Sequence, residues 1–278
     1  MPDASMDYAR YIEEIERRRP AGVPENLVLL EQVGSTNLLA RAVIADYDRE
    51  CQALPTALFL AFEQTAGRGR LGRSWSSPPG QGVYASRTLS VDEPERLQTL
   101  PLLVGVGLCR ALDAYLPAPC RLKWPNDLLA SDKKIGGILI ESLIRPGDCA
   151  MAVVGFGVNR GQTAAELPHA GATSILLEGG GDVPLAQLTW DLVAAVEGEL
   201  LHLGDSAYAV AAYRERSVHQ PGDRLTCQVG EERVSGNFRG FDDDGMLLLD
   251  VEGPEGRGER RLTAGEVIED RRGDGDES

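Results

Sequence analysis

Apolar residues along this chain fall into two patterns, short unbroken runs and longer runs with helical spacing. Unbroken runs bounded by turn residues are typical of buried strands, and spacings of three and four residues are typical of helices packed on a sheet. The strand pattern occurs at residues 27–30, 57–62, 128–130, 135–144 and 150–158, and a further strand is predicted at 82–89, where the residues alternate. The helical pattern occurs at residues 38–44, 97–116, 185–203 and 205–216, while residues 4–19 are polar and helix-prone, with acids early and arginines late. This mixture predicts an α+β fold.

The pattern changes after Pro221, where short alternating strands are separated by glycine and aspartate. They are predicted at residues 224–229, 232–241, 246–251 and 260–263. About 50 residues of this kind are typical of a small all-β barrel. The predicted units are a lead-in helix at 1–24, a larger domain at 25–218, the barrel at 219–270 and a disordered polar tail at 271–278.

The charge balance narrows the range of partners. The 278 residues carry a formal net charge of −15, which argues against a nucleic acid or an anionic membrane as partner. No apolar run approaches the ~20 residues of a membrane span, and the N-terminus lacks a secretory signal pattern. The 5 cysteines are scattered without a C-x-x-C pair, and the 3 histidines are isolated. These features predict a cytoplasmic protein with reduced thiols and no metal site built from its own side chains.

A segment rich in glycine and arginine follows the strand at 57–62. It reads E-Q-T-A-G-R-G-R-L-G-R-S-W from Glu63 to Trp75. Its glycines are Gly67, Gly69 and Gly72, and its arginines are Arg68, Arg70 and Arg73. Glycines let backbone N–H groups approach a ligand closely, and arginines supply planar charged groups suited to carboxylate and phosphate. With Trp75 as a flat face for a base, the segment indicates a site for an anionic small molecule such as a nucleotide.

The same residues also fit G-x-G-x-x-G, the glycine pattern of dinucleotide-binding folds. That fingerprint must open a helix, and the residues that follow cannot form one because Pro78 and Pro79 break it. A second alternative is an ordinary solvated basic loop. Against it stands the basic character of the segment in an acidic chain, so the anion-binding interpretation is favoured.

Lysine is confined to one short stretch of the chain. Lys and Arg together number 28, yet the only lysines are Lys123, Lys133 and Lys134. Chance clustering explains this, and so does a site that needs a compact ammonium group that a guanidinium cannot replace. The lysines flank a turn signal, P-N-D at 125–127, and open a strand that begins I-G-G.

A polar corner, G-S-T-N at 34–37, separates the first strand from an apolar-periodic helix. Ser35 or Thr36 is a good helix N-cap. The corner can equally present its hydroxyl groups to a small ligand. The corner alone favours neither interpretation.

Three segments, taken with this corner, resemble biotin–protein ligases. They are Glu63–Trp75, K-W-P-N-D with D-K-K-I-G-G at 123–137, and G-F-G-V-N at 155–159. Order and approximate spacing match that family over about residues 25–269, and the ordered set is far more specific than any one segment. The resemblance implies a mixed-sheet catalytic domain of the class II synthetase-like type, binding biotin and ATP, and a small SH3-like C-terminal barrel. Since 34 residues precede Ser35, the ligase-only type without a winged-helix DNA-binding domain is expected, with no nucleic-acid partner.

The resemblance also implies a two-step reaction. Biotin and MgATP give biotinyl-5′-AMP and pyrophosphate, and the anhydride then acylates one lysine of a biotin carboxyl carrier domain, as in an acyl-CoA or pyruvate carboxylase. The residues agree with this chemistry, because a carboxylate and a triphosphate repel each other and the site must supply positive charge. Mg²⁺ is expected to help pyrophosphate leave.

Individual residue roles follow from the same resemblance. Biotin is expected to contact Ser35, Thr36, Asn37, Gln64, Gly67, Arg68, Lys134 and Gly137. ATP is expected to contact Arg70, Arg73, Trp75, Lys123, Asn126, Asp127, Lys134 and Asn159. Lys134 and Arg70 are expected to act in catalysis. The alternative for Asn126 and Asp127 is a simple turn, and for 155–157 it is close packing within a buried strand.

Two other functional classes remain open. A lipoate or octanoate transferase shares the catalytic fold, although its members lack the K-W-P-N-D run. A non-enzymatic biotin sensor would need a module for DNA or a partner protein. Binding of a biotin analogue against a lipoate analogue separates the first alternative from biotin ligation.

Overall fold

The computed structural model describes residues 7–49, 55–144, 150–253 and 256–271. The helices are α1 (Tyr8–Arg18), α2 (Thr36–Arg49), α3 (Leu100–Leu112), α4 (Leu185–Leu200) and α5 (Ser206–Arg216). The first seven strands are β1 (Asn26–Val33), β2 (Ala57–Gln64), β3 (Gly82–Val91), β4 (Arg121–Lys123), β5 (Asp127–Ala130), β6 (Lys133–Ile144) and β7 (Ala150–Asn159). The remaining strands are β8 (Arg224–Val229), β9 (Glu232–Phe241), β10 (Leu247–Gly253), β11 (Gly256–Leu262) and β12 (Glu266–Arg271).

A mixed seven-stranded sheet forms the larger part of the molecule. Its order is β1-β2-β3-β7-β6-β5-β4, with β1 and β2 parallel and the other neighbours antiparallel. Every residue of β7 is buried, as expected for an unbroken apolar run in a strand covered on both faces. Ala40 and Ile44 of α2 pack on one face, and the larger core that includes α3 and α4 packs on the other.

Five further strands form a separate antiparallel sheet in the order β11-β10-β9-β8-β12. This sheet and the mixed sheet confirm the α+β fold with a small C-terminal β unit. The division at 218–219 stays a prediction, as does the disordered tail, since residues 272–278 lie outside the described part of the chain and Arg271 is the last residue of β12.

Some predicted elements differ in extent from the observed ones. The helix at 97–116 is shorter, because a 3-10 turn at Pro94–Leu97 precedes it and Leu112 ends it. Helix α1 begins at Tyr8, where Asp7 accepts a hydrogen bond from the backbone N–H of Arg10 at 2.8 Å. Two strands, β4 and β12, were absent from the sequence prediction because each is short and rich in charged residues, without an apolar run to mark it.

Three of the cysteines, Cys109, Cys120 and Cys227, are buried free thiols. Burial raises the pKa of Cys109, and raises that of Cys227 to about 11, so both stay protonated near neutral pH. Cys51 and Cys149 lie outside the described residues. Among the helices that the structure describes, none combines the length and apolar character required to cross a bilayer.

Candidate active site

A cavity of about 450 Å³ opens at one end of the mixed sheet, under the glycine–arginine segment. The site residues predicted from sequence that line it are Ser35, Thr36, Asn37, Gln64, Arg68, Arg70, Arg73, Trp75, Asn126, Asp127, Lys134, Gly137 and Asn159. Gly67 and Lys123 are not in its lining. Segments far apart in sequence are therefore brought to one place, as the resemblance requires.

Strand β7 contributes to the cavity through alternate residues, since side chains at i and i+2 share one face of a strand. A Cβ at Gly155 would overlap the Asn37 amide, and one at Gly157 would lie 2.5 Å from Trp75 Nε1. Asn159 is the next residue on this face. The glycines of G-F-G therefore make room for the side chains of Asn37 and Trp75, which line the cavity. The close packing at these glycines is thus part of how the site is formed.

A buried hydrogen-bond network occupies the Gly155 end of the cavity. The Thr36 backbone N–H donates to Gln64 Oε1 at 2.9 Å, and Gln64 Nε2 donates to Ser77 Oγ at 2.9 Å. Ser86 Oγ lies 2.7 Å from Thr36 Oγ1 and 2.6 Å from Asn37 Oδ1. The network presents several hydroxyl and amide groups in fixed orientations, which suits a small polar ring with its own donors and acceptors.

Glu141 is a carboxylate that the sequence interpretation missed. Its oxygens lie 2.8 Å from Arg41 Nη1, 3.4 Å from Arg68 Nη1 and 3.1 Å from Asn37 Nδ2. Glu141 is two residues beyond Leu139 on β6, whose carbonyl also accepts from Asn37 Nδ2 at 3.1 Å. The carboxylate therefore links Arg68 to the corner residue Asn37. An isolated acid in an apolar strand was the only available signal.

The glycine–arginine segment folds back on itself as a hairpin-like loop. Isolated antiparallel bridges join Gln64 to Ser77 and Arg68 to Ser74. The Trp75 N–H donates to Gly67 O at 2.8 Å, and a Cβ at Gly67 would overlap Trp75 O. Gly67 is thus required for closure of the loop, although it does not line the cavity.

Arg70 reaches from the loop to the turn before β12, and Arg73 reaches to the first residue of that strand. Arg70 Nη1 donates to Gly265 O at 3.1 Å and to Asn126 Oδ1 at 3.2 Å, while Arg73 lies 2.6 Å from the Glu266 carboxylate. Burial lowers the pKa of Arg70, and the hydrogen bond to Glu266 raises that of Arg73. The C-terminal sheet therefore contributes directly to the cationic side of the cavity, through contacts that the sequence could not reveal.

Lys134 lies next to Asp127 in the cavity. Its Nζ is 2.6 Å from Asp127 Oδ1 and 5.6 Å from the centre of the Trp75 ring system. The Lys134 N–H donates to Gly171 O at 2.8 Å, and its carbonyl accepts from Thr173 N at 2.9 Å. These two bonds fix the backbone of Lys134, from which the ammonium group extends.

The other two lysines, Lys133 and Lys123, do not line the cavity. Lys133 is exposed and does not line the cavity, consistent with its place on the opposite face of β6. Lys123 is half-buried on β4 and pairs in register with Asp127 through the backbone. Lys123 does not line the cavity with the other predicted cations.

The loop between β7 and α4 also lines the cavity and was not predicted. Its lining residues are Gln162, Glu166, Leu167, Pro168, His169 and Ala172. The sequence of this loop contains no recognisable binding or catalytic motif. Only its position after G-F-G-V-N could have indicated that it lines the cavity. Among the described residues, no group of three or more His, Cys, Asp and Glu side chains could hold a metal ion.

Known proteins resemble this chain in sequence and in fold. A model of the biotin/lipoate A/B protein ligase family matches residues 31–159. The biotin–[acetyl-CoA-carboxylase] ligase of Mycobacterium tuberculosis is 35% identical over 237 residues, which cover 82% of this chain and 84% of that protein. The corresponding ligase of Paracoccus denitrificans is 32% identical, with 73% of this chain and 86% of that protein covered. The chain belongs to the biotin protein ligase family, and the resemblance drawn from its motifs is confirmed.

A longer relative and a solved structure also match this chain. The bifunctional ligase/repressor BirA of Escherichia coli is 31% identical over 202 residues. The matched region covers 70% of this chain and 61% of the length of that protein. The structure of the Aquifex aeolicus biotin protein ligase in complex with biotin and ATP is 27% identical, with a TM-score of 0.68. That likeness covers 89% of this chain and 99% of the Aquifex chain.

Proposed function

We propose that this protein activates biotin with ATP and transfers it to one lysine of a biotin carboxyl carrier domain. The observation that carries the proposal is the Lys134–Asp127 contact of 2.6 Å, within one cavity between a neutral hydrogen-bonding end and a cationic side. The relatives support it, because two are named biotin–[acetyl-CoA-carboxylase] ligases and the Aquifex protein is described with biotin and ATP.

Biotin would occupy the end of the cavity that holds the Thr36–Gln64 network. Its ureido ring has one carbonyl acceptor and two N–H donors, which match the mixture of hydroxyl and amide groups there. Its carboxylate would extend toward Lys134. The ordered side chains of the network would orient the ring before reaction, so that little further entropy is lost when the carboxylate meets ATP.

ATP would place its phosphates on the cationic side of the cavity. Arg70 and Arg73 now bind Gly265 O and Glu266, and we propose that phosphate oxygens replace some of these partners. The loop would then lose part of its attachment to the C-terminal sheet when ATP binds. Mg²⁺ is proposed to enter as part of MgATP, where it supplies charge neutralisation at the departing pyrophosphate.

In the first step, a biotin carboxylate oxygen forms a bond to the α-phosphorus while the bond from that phosphorus to the β-phosphate oxygen breaks. Lys134 Nζ would lie between the two anionic reactants and offset their repulsion, and Asp127 would keep the ammonium group in place. In the second step, the carrier lysine attacks the acyl carbon and AMP leaves. Enclosure of the anhydride by the loop would limit its hydrolysis.

The decisive experiment follows [³H]biotin incorporation into a purified biotin carboxyl carrier domain, with and without ATP. Label that requires both ATP and the acceptor lysine is expected. A parallel reaction with labelled lipoate or octanoate and a lipoyl domain tests the alternative transferase. Transfer of lipoate with no transfer of biotin would contradict the proposal, and tight biotin binding without any transfer would favour a sensor. Cytoplasmic location is proposed with it, since carboxylases and ATP are found there.

A further inference from the structure

The segment that joins helix α5 to the C-terminal sheet runs beside β4, the edge strand of the mixed sheet. Ser217 forms an isolated parallel bridge with Leu122, and the Val218 N–H donates to the Leu122 carbonyl at 2.9 Å. The Arg121 side chain donates to the Ser217 carbonyl at 2.7 Å. This segment therefore continues the pairing of the mixed sheet beyond β4 for a short distance.

A side chain replaces the backbone as acceptor where this pairing ends. The N–H of Trp124, the residue that follows β4, donates to His219 Nε2 at 3.3 Å. Both residues are buried. A buried N–H that loses its acceptor costs free energy, so the imidazole satisfies a donor that the backbone of the segment leaves to it.

The imidazole is itself held in place by neighbouring residues. The His219 N–H donates to Ser217 Oγ at 3.1 Å, which fixes the backbone next to the ring. The ring packs edge-on against Phe238 of β9, with the two ring centres 5.9 Å apart. The Trp124 N–H is therefore bonded to a side chain that the C-terminal sheet keeps in one orientation.

Trp124 begins the turn that carries two residues of the proposed reaction. At the other end of this turn, the Asn126 carbonyl accepts from the Ile138 N–H at 3.0 Å, and Asn126 Nδ2 donates to the Ile138 carbonyl at 2.8 Å. Asp127 follows directly and contacts Lys134 Nζ at 2.6 Å. The turn is thus bonded to β6 at its end and to His219 at its beginning.

We propose that His219 is a positioning residue for the proposed reaction and acts through the Trp124 N–H. The inference rests on the proposed function and adds a residue that does not line the cavity. Without an acceptor for Trp124, the start of the turn can shift, and Asn126 and Asp127 shift with it. A displacement of about 1 Å at a reacting group is enough to lower a rate by as much as ~10²-fold.

The test compares wild type with His219→Leu, His219→Gln and His219→Asn. Glutamine places its amide oxygen as many bonds from Cα as Nε2 is in histidine, whereas the oxygen of asparagine lies one bond short. His219→Leu and His219→Asn should lower kcat for pyrophosphate release by roughly tenfold, with little change in the KM for biotin. His219→Gln should keep most of the wild-type rate. The comparison of the two amides holds even where His219→Leu fails to fold.

Hydrogen exchange of the Trp124 amide, followed by NMR, measures the contact without turnover. Exchange should be slow in wild type and His219→Gln, and roughly tenfold faster in His219→Asn. His202→Gln changes an exposed histidine outside the cavity and should alter neither exchange nor kcat.

Three results would overturn the inference. They are equal rates in the glutamine and asparagine variants, faster exchange of Trp124 with kcat unchanged, and exchange of Trp124 that no substitution of His219 alters. If wild type releases no pyrophosphate, the proposed reaction fails, and the exchange pattern still decides whether His219 holds the turn.

Discussion

Lys134 Nζ lies 2.6 Å from Asp127 Oδ1, and the two residues come from the facing strands β6 and β5. The pairing of these strands shifts register between Leu128 and Leu129, immediately after Asp127. Such an irregularity re-aims side chains next to it, and here it adjoins the ammonium–carboxylate pair. Side-chain exposures of 29% and 21% leave the pair accessible to a ligand in the cavity.

Replacement of Lys134 by alanine is expected to lower kcat for pyrophosphate release by roughly 10²–10³, with a smaller change in KM. The reason is that the ammonium group would act most strongly on the charge that develops between carboxylate and phosphate. Lys134→Arg should recover only part of the rate, because a guanidinium is larger and cannot make one compact contact.

Lys133→Ala provides the matched control for this prediction. Lys133 is the adjacent residue, has the same chemistry and is exposed outside the cavity. Its variant should retain near-normal kcat. A crippled Lys133→Ala beside a nearly normal Lys134→Ala would show that the wrong lysine has been assigned.

Asp127→Asn should lower kcat through Lys134, since the amide can no longer hold the ammonium group by charge. We expect a loss of about tenfold in wild type and little further loss when Lys134 is already alanine, because residues that act through one contact are not additive. Pyrophosphate release by both single variants and the double variant measures the coupling. Fully multiplicative losses would indicate that Asp127 acts independently of Lys134.

Arg70→Gly is expected to leave adenylation partly intact and to release the intermediate faster. Loss of Arg70 removes contacts to Asn126 and Gly265 O, and the added glycine loosens a loop that already contains three. One charge-assisted hydrogen bond is worth ~1.5–3 kcal/mol, which corresponds to roughly ten- to hundredfold faster escape. Escaped anhydride would biotinylate bystander lysines, measured on albumin in the reaction. Stray labelling equal to that of wild type would contradict the proposed contact of Arg70 with the phosphates.

The sequence predicted the strand and helix order well where apolar runs were long, as in β2, β7 and α4. Most of the site residues that were predicted line the cavity, because each was part of a motif with fixed spacing. Glu141, Glu266 and Gln162 escaped prediction since each acquires its setting only through pairing across the sheet or between the two sheets. Lys123 shows the converse: it has the expected residue type and spacing, but its strand places it outside the cavity lining.

Ligand binding is expected to protect the glycine–arginine loop from trypsin. Leu71 is 69% exposed with φ of 54°, and the Arg73 side chain is 64% exposed, so the tip of the loop is open to a protease. Biotin with ATP should slow cleavage after Arg68, Arg70 and Arg73. Cleavage after Arg257, whose side chain is 87% exposed on β11, is the internal control and should not change. Equal loop cleavage with and without ligands would contradict the expected protection.

The contact between Gly157 and Trp75 allows a prediction about stability that does not depend on activity. A Cβ at Gly157 would meet three atoms of the Trp75 indole within 3.1 Å. Gly157→Ala should therefore cost about 1–3 kcal/mol of unfolding free energy in wild type, the usual range for overpacking. In a Trp75→Ala background the same change should cost close to nothing, because the obstructing ring is gone. Gly136→Ala is the matched control, since its Cβ would meet the Gly157 carbonyl at 2.9 Å and its cost should be the same in both backgrounds.

Urea unfolding of the four Gly157 and Trp75 combinations measures the coupling. A cost of Gly157→Ala that persists without the Trp75 ring would mean that the indole does not rest on this strand in solution.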